Sequence, residues 1–215
     1  MNRCAIIIVL YLAAIAYVCV AEAKIVDEHV YLVPAEGVDR KTVEAIKDSI
    51  PANLPVAVKV EILPEDKLAD SAYDSARRQY NAQAVLDDIH QRLNLDIRVD
   101  TALIIVDTDL YSPELNFVFG LADMNKKTCI ISLSRLRNEF YNLKPNNKLF
   151  LERAVKEAIH ELGHVWGLAH CTSPRCAMYF SNSLPDTDRK RSLPCVACRN
   201  KLSGHFVSPL IKKPG

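Results

Sequence analysis

Residues His160 to His170 read HELGHVWGLAH, and no other stretch of this 215-residue chain restricts its fold as tightly. On an α-helix, His160 and His164 are one turn apart and about 40° from each other around the axis, so their imidazoles share a face. His170 lies six residues further on and would point elsewhere in a continuous helix. The three rings can meet only if the helix stops and the chain turns back, and Gly167 is the residue there that accepts positive φ without steric cost. Three converging neutral imidazoles leave one position of a tetrahedral zinc site open, the arrangement of a catalytic rather than a closed structural site. Glu161 is then placed to take a proton from zinc-bound water and pass one to a leaving amine.

The apolar pattern supports a helix over about 147–167. Leu151, Ala158, Ile159, Leu162 and Trp166 cluster around Val155 on the helical wheel. His160 and His164 fall about 140° and about 180° away from that stripe, toward a cleft rather than toward the core. A chance H-E-x-x-H on a structural helix is the alternative, and the full eleven-residue pattern argues against it.

Four cysteines follow at once. Cys171 directly succeeds the third histidine, Cys176 comes five residues later, and Cys195 and Cys198 form C-x-x-C. Two close pairs suit a structural zinc held by four thiolates, which pins a loop with no core of its own. Two disulfides are the alternative, made more plausible by the expected export, but the close spacing within each pair still favours metal. Cys129 reads as a buried free thiol in a strand. Asp186–Asp188 and Arg189–Arg191, between the cysteine pairs, read as a solvated loop.

Upstream, strands and helices alternate. Residues 24–33 suit a first strand, Asp39 caps a helix to about Ser49, and Pro51 and Pro55 bracket a connection to a second strand over 56–62. Residues 63–80 read as a surface loop, and Asn81 caps a helix to about Leu93. Ala102–Val106 (ALIIV) is a continuous apolar run, as in a central strand covered on both faces. Asn116–Leu121 and Thr128–Leu133 suit a hairpin. The order implies an α/β or α+β domain with a mixed, mostly parallel sheet.

At the N-terminus an apolar run from Cys4 to Ala21 follows Arg3 and ends at Ala21-Glu22-Ala23. It reads as a secretory signal over residues 1–23, with an uncleaved membrane anchor over residues 4–21 as one alternative and a buried segment of a cytoplasmic protein as another. The expected domains are then 24–167, ending in the active-site helix, and 168–215. Lys plus Arg number 27 against 26 for Asp plus Glu, a balance that argues against a nucleic-acid binder.

HELGHVWGLAH, then CTSPRCAM, then CVAC together resemble the archaemetzincin family of zinc metallopeptidases. The resemblance covers about 40 residues and implies a metzincin-like domain with a small zinc-pinned C-terminal subdomain. It implies two zinc ions per chain. His160, His164 and His170 would hold the catalytic one with Glu161 as general base, and Cys171, Cys176, Cys195 and Cys198 the structural one. Met178 would form a Met-turn beneath the metal, and an edge strand, Asn116–Leu121 by chain order, would align a peptide or protein substrate. Tyr179 reads as a packing residue. The activity implied is peptide-bond hydrolysis, aminopeptidase-like and narrow, by a monomer. A zinc-stabilised peptide-binding protein with little turnover is the competing reading, and the intact Glu161 favours the enzyme.

Overall fold

The computed structural model describes residues 28–93, 95, 96, 98 and 100–206. The expected leader, residues 1–23, lies outside them. β1 (Glu28–Pro34) runs into α1 (Arg40–Asn53), where the N-cap Asp39 carboxylate accepts from the Thr42 N–H at 3.0 Å. Pro51 sits inside the last turn of α1, so the helix outruns the boundary expected near Ser49. β2 (Val58–Ile62) follows, then two short strands, β3 (Tyr73–Asp74) and β4 (Gln79–Asn81), in a stretch whose polarity suggested only loop. α2 (Ala82–Arg92) starts where Asn81 caps it. The chain continues through β5 (Asp100–Val106), β6 (Leu110–Ser112), β7 (Leu115–Val118), β8 (Gly120–Asp123) and β9 (Thr128–Ser132). The long helix α3 (Asn147–Val165) is followed by α4 (Leu184–Arg189) and α5 (Val196–Phe206).

The main sheet has the order β2-β1-β5-β9-β8. Its first four strands are parallel and β8 pairs antiparallel with β9, leaving β8 as an edge. β5 is central, and Ala102 to Val106 are fully buried, as an apolar run covered on both faces requires. β3, β4, β6 and β7 form a second small sheet. The expected strand over Asn116–Leu121 is therefore divided. Leu115–Val118 joins the second sheet, and only Gly120–Asp123 reaches the main one. The break is at Phe119, whose carbonyl accepts from the Ser132 N–H at 2.8 Å.

α3 packs against α1, β8 and β9, and it also contacts α4. From Arg153 to Gly163 it is buried without interruption. The wheel left the histidine face toward a cleft, yet the chain beyond Gly167 folds back over much of it. The far end of α3 is anchored to the start of the described chain. Trp166, 1 % exposed, donates its indole N–H to Glu28 Oε1 at 2.9 Å, and the Thr101 hydroxyl donates to the same oxygen at 2.6 Å. Lys127 Nζ lies 3.7 Å from that oxygen. One buried carboxylate thus ties β1, β5 and the end of α3 together. Glu28→Ala would leave the indole N–H and the hydroxyl without partners, and chemical denaturation should show a loss of about 2–4 kcal/mol.

Candidate metal centre and cleft

The stop of α3 is built by its last turn. Gly167 adopts φ +84°, its N–H bonds to the His164 carbonyl at 2.9 Å, and the Leu168 N–H bonds to the Gly163 carbonyl at 2.9 Å. This is a Schellman ending with glycine in the left-handed position. It turns the chain so that His170 returns to the helix it has left. His170 stacks on His160 with ring centroids 5.3 Å apart and meets His164 at 4.7 Å.

The hydrogen bonds fix which nitrogens face the shared space. His160 donates from Nδ1 to the Ala177 carbonyl at 2.8 Å, and His164 donates from Nδ1 to the Leu168 carbonyl at 2.7 Å. Both Nε2 atoms therefore carry lone pairs, and they lie 3.1 Å apart. Two acceptors held face to face with no proton between them call for a cation. Zinc at about 2.0–2.1 Å from each would set them about 3.3 Å apart. Ligand atoms of all three histidines lie within 4.8 Å of one another. Burial holds His160 well below the ordinary imidazole range and lowers His164 and His170 as well, so the rings are neutral.

Met178 is fully buried under the helix, against Gly163. A Cβ at Gly163 would collide with its sulfur and come within 3.0 Å of its Cε. Gly120, at the start of β8, has a matching role for Glu161. A Cβ there would lie 2.6 Å from both Glu161 Cγ and Oε1. Glu161 is buried, which raises its carboxyl well above the ordinary range, with Glu157 adding to the rise.

The three histidines, Glu161 and Gly120 line a cleft of about 430 Å³. The outer edge of β8 and residues 115–119 form one wall, and Phe180, Ser181 and Asn182 form the other. Arg77 braces the first wall by donating to the Leu115 and Asn116 carbonyls at 3.2 and 3.0 Å. Phe180, not Tyr179, lines the cleft, with its ring 4.8 Å from that of His170.

The four cysteines converge beside this site. Cys171 and Cys195 sulfurs are 3.9 Å apart, those of Cys176 and Cys198 are 3.7 Å apart, and all four lie within 4.8 Å of one another. Four thiolates about 2.3 Å from zinc would be about 3.8 Å apart, so the spacing fits metal, and no pair is at bonding distance for a disulfide. Within the quartet a hydrogen bond from the Cys198 backbone N–H helps lower Cys195 to about 7, while burial raises Cys176 and Cys198.

The stretch read as a solvated loop is different. Lys190 and Thr187 are buried against Glu157, and Asp188 pairs with Arg153. Polar residues of α3 and the loop satisfy one another, which composition does not reveal. Gly120 and Phe180 likewise carried no signal of their own in the sequence.

The sequence model of peptidase family M54 matches residues 1–204. The chain belongs to that family, the archaemetzincins. It is 47% identical to the archaemetzincin of Pyrococcus horikoshii over 136 residues, covering 63% of this chain and 72% of the relative. With that of Methanocaldococcus jannaschii the identity is 45%, over 69% and 80%. Among solved structures, it is similar to a zinc-dependent peptidase from Methanocorpusculum labreanum, at 30% identity and TM-score 0.73 over 80% of this chain and 99% of that one. The archaemetzincin of Archaeoglobus fulgidus, complexed with malonate, gives 35% and 0.68 over the same shares. M54 is a family of zinc-dependent metallopeptidases, and its substrates are peptides or proteins.

The match corrects the export expectation. It begins at residue 1, so it takes in the residues read as a secretory signal or an anchor, and the relatives are archaeal archaemetzincins. A short apolar run has the same hydropathy in a leader as in the buried part of a domain. Among the described residues no helix is long and apolar enough to cross a membrane.

Gly163→Ala should lower the thermal midpoint, by about 1–3 kcal/mol of overpacking against Met178, and a larger residue should cost more.

Proposed function

We propose that this archaemetzincin cleaves peptide bonds at the cleft between β8 and Phe180–Asn182, with His160, His164 and His170 holding a catalytic zinc. The observation that carries this reading is the pair of opposed Nε2 lone pairs 3.1 Å apart, with Glu161 beside them and against the edge strand. When bound, zinc supplies a Lewis acid that lowers the pKa of water and polarises a carbonyl. Glu161 is the general base. Its carboxylate takes the proton from the attacking water and later delivers one to the leaving amine. Ala177 and Leu168 carbonyls hold His160 and His164 in the tautomer whose Nε2 is free. β8 has unpaired backbone groups along its outer edge, which suit pairing with an extended substrate. That edge strand is only four residues long, which supports a narrow, aminopeptidase-like specificity.

The cysteine geometry supports a second, structural zinc on Cys171, Cys176, Cys195 and Cys198. The cleft supports a division into residues 24–167 and 168–215, with Met178 packed beneath the histidines from the second part.

Glu161→Gln should keep its zinc and lose about 10²–10⁴-fold in hydrolysis of a peptide library. Undiminished hydrolysis would remove the mechanism, and tight peptide binding without turnover by the wild type would favour the binding protein instead. Metal analysis should find two zinc ions, and a chelator without reductant should expose four further thiols to titration. For specificity, N-acetylation of a good substrate should abolish its cleavage.

A further inference from the structure

Just before the histidines, α3 presents three charged side chains to the returning chain, all of them buried. Arg153 forks onto the Asp188 carboxylate at 2.6 and 2.8 Å, and Lys156 donates to the Asp188 carbonyl at 3.2 Å. Glu157, 2 % exposed, meets Lys190 Nζ at 2.9 Å and accepts from the Thr187 hydroxyl at 3.2 Å. Lys190 is itself 1 % exposed. Residues 187–190 are therefore fastened to the helix by two ion pairs and two further hydrogen bonds.

A second fastening lies upstream, where Ala177 accepts from His160 and Met178 packs beneath Gly163. The chain from 179 to 186 is the span between the two. It carries Phe180, Ser181 and Asn182, the cleft wall opposite β8. The Ser183 hydroxyl donates to Asp186 at 2.7 Å, so the far end of this span is internally braced. Moving the downstream fastening would move the wall.

A buried ion pair gains little stability over an apolar pair of the same shape, so stability alone does not explain charges at Glu157 and Lys190. What a charge pair adds is direction. It holds one register where an apolar contact would tolerate sliding. Glu157 lines the cleft one turn before Glu161, so the register it fixes is that of the active face.

We propose that the Glu157–Lys190 pair is a positioning device that, with Thr187 and Asp188, sets the wall Phe180–Asn182 against β8 and so governs how tightly a peptide is held. The kinetic part of this inference rests on the peptidase reading above.

The test is the double variant Glu157→Gln/Lys190→Met, which removes both charges together and leaves no lone charge buried. Loss of a positioning role should raise KM about tenfold while kcat changes less than about threefold. Zinc content should equal that of the wild type. Amide hydrogen exchange should lose protection over residues 179–186 while β5 and β9 keep theirs. Thr187→Val, a milder change, should give a smaller loss over the same residues even where the double variant fails to fold. Unchanged exchange over 179–186, protection lost across the whole sheet in Thr187→Val, or a fall in kcat at unchanged KM would each overturn the proposal. A wild type that hydrolyses no peptide would defeat the peptidase reading, and the exchange comparison would still decide whether the pair positions the wall.

Discussion

The left-handed turn at Gly167 is the constraint on which the histidine arrangement depends. Two histidines one turn apart are guaranteed by any helix, but the third must come from chain that has already left it. The Schellman bonds at the end of α3 satisfy carbonyls that would otherwise be orphaned and reverse the chain in the same residues. Leu168 then supplies the carbonyl that orients His164, so the residue that completes the turn also sets a tautomer. Any side chain at Gly167 would be strained there, whatever space it found.

Around that turn the helix is enclosed by elements of opposite character. Its sheet side is apolar, and its burial against β8, β9 and α1 follows the Val155 stripe. The side that meets residues 177–190 is polar, with a carbonyl facing His160, a hydroxyl bonded to Glu157 and two ion pairs across it. Two missing side chains make room at the active face. Gly163 admits Met178 from below, and Gly120 admits Glu161 from the edge strand.

The stretch that carries the histidine and cysteine clusters was legible because its spacing is local. Both clusters draw on residues between His160 and Cys198, and their spacing along the chain is what brings the candidate ligand atoms together. The central strand Ala102–Val106 and the caps Asp39 and Asn81 were legible for the same reason, since each is a short-range rule. What was hidden depends on partners distant in sequence. Lys190 in a polar run looks like a surface residue until Glu157 is seen beneath it. Gly120 looks like an ordinary strand residue until Glu161 fills the place of its Cβ. The stretch 63–80 hid two short strands because their pairing partners come partly from β6, about thirty residues on. The N-terminal apolar run misled because hydropathy alone does not identify a leader.

The Glu28 carboxylate joins residues that are 138 positions apart in the chain. Contacts of that separation are closed late in folding, after the entropy of the long loop has been met by other pairings. The end of the histidine helix is thus secured to β1, the first strand of the described chain. A partly folded chain can form the histidine helix before Glu28 is docked against its end. The anchor of that helix is therefore a product of tertiary folding rather than of local helix formation.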